Sequence, residues 1–232
     1  MALSEYGFAD RQSFPDVVSG DTPSQPVPFG RLAYRSGLKR LVDVVLVLGT
    51  VYIWLPIVLI TALMVARDGH NPFYTQQRIG RNGRVFRILK LRSMVHDADA
   101  RFEAYLRENP AARAEWDATQ KLRNDPRITG IGSFIRKTSI DELPQLLNVL
   151  RGDMSLVGPR PIMVQQQTLY PGNRYYRMRP GMTGFWQICD RNRCRFTGRA
   201  RYDNAYFNSM SLWTDLVVLW RTIGVVLRGT GC

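Results

Sequence analysis

From Leu41 to Ala66 the chain is almost continuously apolar, interrupted only by Asp43 and a few Thr and Gly, and bounded by Lys39-Arg40 and Arg67-Asp68. About 20 such residues suffice to cross the hydrocarbon layer as a helix, so the segment has the length of a membrane helix. The alternative, a buried helix of a soluble core, sits poorly with that length. Pro56 lies near the middle, where an interior proline removes a backbone hydrogen bond and costs a straight helix about 3 kcal/mol. Basic residues flank both ends, so the usual cytoplasmic excess of Lys and Arg gives no direction of crossing. A helix broken at Pro56 and turned back would return both ends to one basic face, where Arg35, Lys39, Arg40 and Arg67 meet anionic headgroups. The expectation is a re-entrant helix-break-helix over residues 35–70, with a kinked spanning helix as the alternative.

Residues 1–34 are rich in Pro, Ser, Gly and Asp without apolar periodicity, which predicts a flexible tail. No basic region, apolar run and small-residue cleavage site occur there, so the start does not read as a secretory signal. Residues 71–232 then form the expected cytoplasmic domain. Lys and Arg number 32 against 19 Asp and Glu, a net charge of +13, and nearly all the cations are arginine. The planar guanidinium suits phosphate, so the partner could be nucleic acid, anionic lipid or a phosphorylated substrate; an arginine-rich proteome would give the same balance. Cys189, Cys194 and Cys232 are odd in number and late, which argues for a reducing compartment rather than a disulfide framework. His70 and His96 without a CxxC pair give no zinc site.

Within the domain, Arg84 to Leu91 reads as a strand. Asp97 to Arg107 and Ala111 to Leu122 read as charged helices split at Asn109-Pro110, and Asp125-Pro126 opens a turn. Leu212, Trp213, Leu216, Val217, Leu219, Trp220, Ile223, Val226 and Leu227 recur at helical spacing, with Asp215 and Arg221 away from most of them. Such a helix lies in the headgroup region or packs on the core, and the pattern fits both. The fold class expected is α/β, mainly helical: a monotopic membrane protein with a proline-broken re-entrant helix and interfacial amphipathic helices.

Chemistry concentrates between Arg136 and Gln187. Arg136-Lys137-Thr138-Ser139-Ile140-Asp141-Glu142 places adjacent carboxylates after two cations. Read conservatively, Ser139 and Glu142 are a capping box opening a helix through Leu146, Leu147 and Val149, and Asp141 is a favourable first-turn acid. The same geometry makes Asp141 a ready nucleophile toward phosphorus, and Glu142 could hold a hard divalent cation. Pro144 then predicts an irregular first turn. In Gly158-Pro159-Arg160-Pro161 two prolines present one guanidinium rigidly, as bidentate phosphate binding requires, or form a turn with an incidental arginine. Arg179 to Gln187 is a glycine-punctuated loop whose Phe185 and Trp186 could stack a base, rest at the membrane or pack.

Four segments in this order resemble the bacterial sugar transferase family, the monotopic phosphoglycosyl transferases: KLRSM (Lys90 to Met94), DPRIT (Asp125 to Thr129), RKTSIDELPQLLNVLRGDMSLVGPRP (Arg136 to Pro161) and PGMTGFWQ (Pro180 to Gln187). The likeness covers about Arg31 to Cys232 and is greatest to the branch initiating exopolysaccharide synthesis, including Glu115-Trp116 and the Cys232 end. It implies that Asp141 attacks the sugar-bearing phosphate of a UDP-hexose, expels UMP and passes galactose- or glucose-1-phosphate to undecaprenyl phosphate. It further implies Mg2+ at Glu142, and Lys90, Arg92, Arg136 and Arg160 as substrate-phosphate contacts. Arg199 and Asp203, with Tyr206, match an Arg then Asp-x-x-Tyr pattern implying substrate contact, and the family's proline-broken helix supports Pro56 as the break. Asp190 stands where relatives usually have Gly, and Leu55 where some have Ser before the proline. The partners implied are the UDP-hexose, the lipid phosphate and the bilayer of the inner membrane, with the domain facing the cytoplasm, a homodimer left open, and no nucleic acid. The other readings are a membrane phosphohydrolase of nucleotide sugars and a basic, non-enzymatic membrane scaffold.

Overall fold

The apolar segment forms two helices, α1 (Lys39–Gly49) and α2 (Val51–Val65), with a π-helical turn at Tyr34–Leu38 leading into the first. This is seen in a computed structural model that describes residues 33–119, 122, 125–189 and 196–227. The expected tail, apart from its last two residues, and Asp190, Cys194 and Cys232 lie outside the described residues.

The interruption falls at Thr50, not at Pro56, which lies inside α2. Proline takes away the N–H that the Tyr52 carbonyl would accept, loosening the ladder a turn upstream of the ring rather than at it. Thr50 is also where the carbonyls released at the end of α1 find partners. Its Oγ1 donates to the Leu46 carbonyl at 2.7 Å, and the buried Trp54 Nε1 donates to the Val47 carbonyl at 3.1 Å. A break without such donors would be expensive in lipid, where no water replaces the lost bonds.

Residues Val51–Asp68 are long and apolar enough to cross a membrane by length and composition, and most of them are not buried within the protein. One side of α2 (Trp54, Val58, Ala62, Val65) packs on the body, while Tyr52, Ile53, Leu59, Ile60 and Leu63 are exposed. Under the packed side lies an antiparallel hairpin, β1 (Phe73–Ile79) and β2 (Val85–Leu91), in which Tyr74 faces Lys90 and Arg78 faces Phe86. Its turn uses the left-handed region at Asn82 and Gly83.

Two charged helices follow, α3 (Ala98–Glu108) and α4 (Pro110–Thr119), split at Asn109 as the sequence predicts; the end of the second lies outside the described residues. Next come α5 (Gly130–Lys137), α6 (Gln145–Arg151) and the short parallel pair β3 (Ser155–Val157) and β4 (Gly181–Thr183). The chain closes with α7 (Phe185–Cys189), α8 (Arg199–Ser209) and α9 (Leu212–Leu227). Val47, Trp54, Ile88, Leu146, Val149 and Met154 form the apolar cluster joining the first helices to the hairpin and α6.

Polar bonds fix the apolar segment at both ends. Lys39 Nζ lies 2.5 Å from Asp215, which also accepts from the hydroxyls of Tyr34 and Tyr206 at 2.6 Å. Arg40 donates to the Val149 and Leu150 carbonyls at the end of α6, and Asp43 accepts from Ser155 Oγ at 2.7 Å and from the Leu156 amide at 3.1 Å. At the far end, Arg92 grips Asp68 with both Nη atoms, at 2.6 and 2.7 Å.

The last helix reverses the polarity expected of a helix on a soluble core. Asp215 and Val218 face inward, whereas Trp213 and Trp220 are 74% and 76% exposed, with Leu216 and Ile223 beside them. It therefore both packs on the core and presents an apolar stripe outward. Asp215, set by helical spacing away from most of the apolar residues, is the buried centre of the bonds to Tyr34, Lys39 and Tyr206.

Close backbone approach fixes the segment after β3. The Gly158 amide donates to the Thr183 carbonyl and the Gly181 amide to the Pro159 carbonyl, both at 2.8 Å, and a Cβ on Gly181 would lie 2.1 Å from the Gly158 nitrogen. Gly181→Ala is therefore expected to destabilise the protein by about 3 kcal/mol or more, because backbone must move to admit the methyl. Gly224→Ala on α9, with no atom within 4 Å of the added carbon, is expected to leave stability unchanged or raise it by up to about 1 kcal/mol. Thermal unfolding of both variants in the same detergent checks the pair.

Candidate active site

The carboxylate pair sits on a single 3-10 turn, Ile140–Glu142, between α5 and α6. The capping box expected from Ser139 and Glu142 is not formed: Ser139 has φ 57° and its side chain makes no cap bond. Pro144 explains why. In an α-helix opened by Ser139, the nitrogen of Pro144 would have to donate to the Ile140 carbonyl, and proline has no hydrogen there. The Leu143 amide takes that carbonyl at 3.1 Å, closing the turn early, and α6 begins anew at Gln145. The irregularity predicted from Pro144 is thus observed, and Asp141 is held by a tight turn rather than at the N-terminus of a regular helix.

Asp141 is 9% exposed. Burial pushes its pKa up to about 6, opposed by the Lys90 ammonium and reinforced by the neighbouring Glu142 carboxylate; Arg136, in the last turn of α5, also lowers it. Lys90 reaches in from β2, 2.7 Å from Glu142 Oε1 and 3.8 Å from Asp141 Oδ2. A carboxyl poised at this value is largely ionised near neutral pH yet poorly hydrated, which favours attack on phosphorus.

Beside the pair, Arg78, Lys90, Glu142, Gln145, Arg160 and Met182 line one cleft. Arg160 is delivered there by the Gly158-Pro159 backbone packed on Gly181. Its guanidinium carbon is 5.8 Å from the Trp186 ring, and that of Arg199 lies 4.0 Å over the same ring. Phe185 and Trp186 are buried, so of their three readings packing is the one observed.

The structure thus brings Glu142, Lys90 and Arg160 to one cleft, with Asp141 beside Lys90, Arg136 within electrostatic reach of Asp141, and Arg199 over Trp186. It does not bring Arg92 or Asp203 there. Arg92 spends its donors on Asp68 and the Asn71 carbonyl, anchoring the end of α2. Asp203 is buried and accepts from the Tyr170 hydroxyl; desolvation pushes its pKa up to about 7. In this structure both make supporting bonds outside the lining of the cleft. Arg78 and Gln145 line the cleft without having been expected. Strand register is what reveals Arg78, since it puts Tyr74, Gln76 and Arg78 on the face of Ile88 and Lys90.

Among the described residues no group of three or more His, Cys, Asp or Glu lies close enough to hold a metal ion by itself. The donor set still fits magnesium, which binds through one or two carboxylates and takes its remaining oxygens from substrate phosphates and water. Glu142 is the carboxylate lining the cleft.

The profile of the family described as bacterial sugar transferase matches residues 34–229. A UDP-galactose-lipid carrier transferase of Erwinia amylovora is 50% identical over 196 residues, 84% of this chain and 41% of that protein. An undecaprenyl-phosphate galactose phosphotransferase of Salmonella typhimurium is 47% identical over 204 residues, 86% of this chain and 43% of its own length. The exopolysaccharide production protein ExoY of Rhizobium meliloti is 44% identical over 207 residues, 88% of this chain and 89% of that protein. The chain therefore spans less than half the length of the first two relatives and most of the third. With its dyad, its cation-lined cleft and its apolar entry segment all inside the matched region, the chain belongs to the bacterial sugar transferase family.

Proposed function

We propose that this chain moves hexose-1-phosphate from a UDP-hexose to undecaprenyl phosphate, the opening membrane step of exopolysaccharide synthesis. The observation carrying the reading is a buried carboxylate with its pKa pushed up to about 6, set beside an ammonium and a cleft lined by arginine. An Asp141 oxygen attacks the sugar-bearing phosphorus, and the bond from that phosphorus to the bridging oxygen breaks. UMP departs with the bridging oxygen and its electron pair. An oxygen of the lipid phosphate then attacks the same phosphorus, the bond to Asp141 breaks, and the carboxylate is restored. One activated phosphate linkage replaces another, so neither water nor an external energy source enters.

Lys90 and Arg160 hold the charge that shifts between phosphates, which is the main work of a phosphoryl-transfer site. Glu142 would hold Mg2+, which supplies further neutralisation of the diphosphate when bound. Galactose is the first donor to try, because two of the relatives carry it in their names, with glucose second. The bilayer follows from the acceptor, whose long chain stays in lipid while its phosphate reaches the interface.

The proposed placement is monotopic, with the segment from Tyr34 to Asp68 entering the inner membrane and returning to the cytoplasmic face. Its support is that Lys39, Arg40 and Asp43 at one end and Asp68 at the other bond to the same body. The outward apolar faces of α2 and α9 would meet lipid. A single cysteine at Ser4, in a chain with Cys189, Cys194 and Cys232 replaced, is expected to resist a membrane-impermeant maleimide in intact cells and react after lysis. Labelling from outside alone would replace this topology with a spanning helix.

With Mg2+, undecaprenyl phosphate and radiolabelled UDP-galactose or UDP-glucose, the purified chain is expected to make a lipid-linked sugar and UMP. Donor breakdown indifferent to the lipid would point instead to a phosphohydrolase. Asp141→Asn is expected to cut UMP release by about a thousandfold or more. In the parent chain, kcat/KM for the donor is expected to drop about tenfold per pH unit below about 6, as Asp141 takes up a proton.

Stability should run the other way. Because the folded pKa is raised, the native state holds the proton more tightly than the unfolded chain. That contribution is full below about pH 4 and is lost as pH rises through about 6. At pH 7.5 the ionised Asp141 therefore opposes folding, and Asp141→Asn is expected to stabilise by about 1–3 kcal/mol, read as a raised melting temperature. A basic scaffold predicts the same rise in stability but no UMP release in the parent chain for Asp141→Asn to abolish.

A further inference from the structure

Arg78 is the cleft residue that no motif or relative's name points to. It sits on β1, on the same face as Gln76 and Tyr74, and across from Phe86. Its backbone bridges to Met163, and the following amide, Ile79, donates to the Ile162 carbonyl at 3.0 Å, so β1 runs alongside the segment that carries Arg160. Both guanidinium groups line the cleft that holds Glu142 and Lys90. Within the described residues the side chain has a single hydrogen bond, Nη2 to Gln76 Oε1 at 2.6 Å, and its buried Nε has none. Burial and the nearby Arg160 charge both disfavour the cation, and Glu142 only partly offsets them. Two like charges brought together under poor hydration oppose folding, and an anion between them removes the penalty.

Register separates Arg78 from Lys90 along the backbone of the hairpin, although both side chains reach the one cleft. Lys90, beside Asp141, stands opposite Tyr74, and Arg78 lies four residues further along β1, about 13 Å at the rise of an extended strand. An in-line displacement needs the leaving oxygen on the far side of the phosphorus from the attacking carboxylate. By the same geometry, the lipid phosphate must later enter from the side that UMP left.

Building on the transferase reading, we propose that Arg78 and Arg160 form one anion subsite used in turn by the departing nucleotide phosphate and the incoming lipid phosphate. Gln76 is a positioning residue that aims Arg78 across the cleft. A guanidinium fork suits this use, since it can pair with two oxygens of either phosphate without distinguishing what the phosphate carries.

The test compares the full chain in nanodiscs with Arg78→Gln and Arg78→Lys. Dissociation constants for UMP and for inorganic pyrophosphate are measured alongside the melting temperature of the unliganded protein. The expected result for Arg78→Gln is binding of both anions weakened by about tenfold or more, with the unliganded melting temperature equal to or above that of the parent. Arg78→Lys should fall between the two. In turnover, KM for the UDP-hexose and KM for undecaprenyl phosphate should rise together, while the fall in kcat/KM near pH 6 stays in place. Unchanged anion affinity overturns the subsite, as does a lowered unliganded melting temperature, which would make Arg78 a structural residue. The two readings separate cleanly. Arg78-dependent anion binding without lipid-linked product would remove the transferase, and lipid-linked product with Arg78-independent binding would remove only the subsite.

Discussion

Ionic and polar side chains on an otherwise apolar helix must be bonded or they cannot be buried, and α1 satisfies this by tying itself to the body that carries the cleft. Lys39 meets Asp215, Arg40 takes carbonyls at the end of α6, and Asp43 holds Ser155 and the Leu156 amide. Each partner belongs to a different part of the cleft's support. α6 begins just after the carboxylate turn, β3 leads into Gly158 and Arg160, and α9 carries the outward tryptophans. The segment that reads in the sequence as a membrane anchor is therefore also a scaffold for the site.

The cleft itself rests on two exceptions to regular structure. Pro144 ends a helix before it can start, leaving Asp141 on a turn, and Gly158 and Gly181 pack backbone on backbone so that Arg160 is held without freedom. Neither arrangement is the most stable local choice. A buried carboxylate with its pKa raised to about 6 adds to that cost, and the burial that weakens the fold is the same burial that strips water from Asp141, the nucleophile of the proposed transfer.

The sequence foretold much of this, and its misses have physical causes. Local signals carried β2, the break at Asn109 and the irregular turn before Pro144, since each depends on residues within a few positions. The break in the membrane segment was placed at the proline, but its location depended on where Thr50 and Trp54 could supply donors. Arg92 and Asp203 were expected to contact substrate because the family resemblance implies it, and local sequence could not show that distant partners, Asp68 and Tyr170, bond to them. Arg78 was invisible for the converse reason, because only strand register reveals that it shares a face with Lys90. For the last helix, helical spacing gave a polar side and an apolar side but not their directions, and only the bonds to Tyr34, Lys39 and Tyr206 show that Asp215 turns inward.

Fastening at both ends of the apolar segment couples two heights. Arg40 and Asp43 hold one end, and the clasp of Arg92 on Asp68 holds the other, so the segment cannot slide past the body without breaking charged hydrogen bonds. In a bilayer, hydrophobic thickness fixes how deep such a segment settles, at fractions of a kcal/mol per Å of mismatch. On the proposed monotopic placement, lipid composition then sets the elevation of Asp141 above the acyl chains, and the membrane becomes a ruler for where an acceptor's headgroup would arrive.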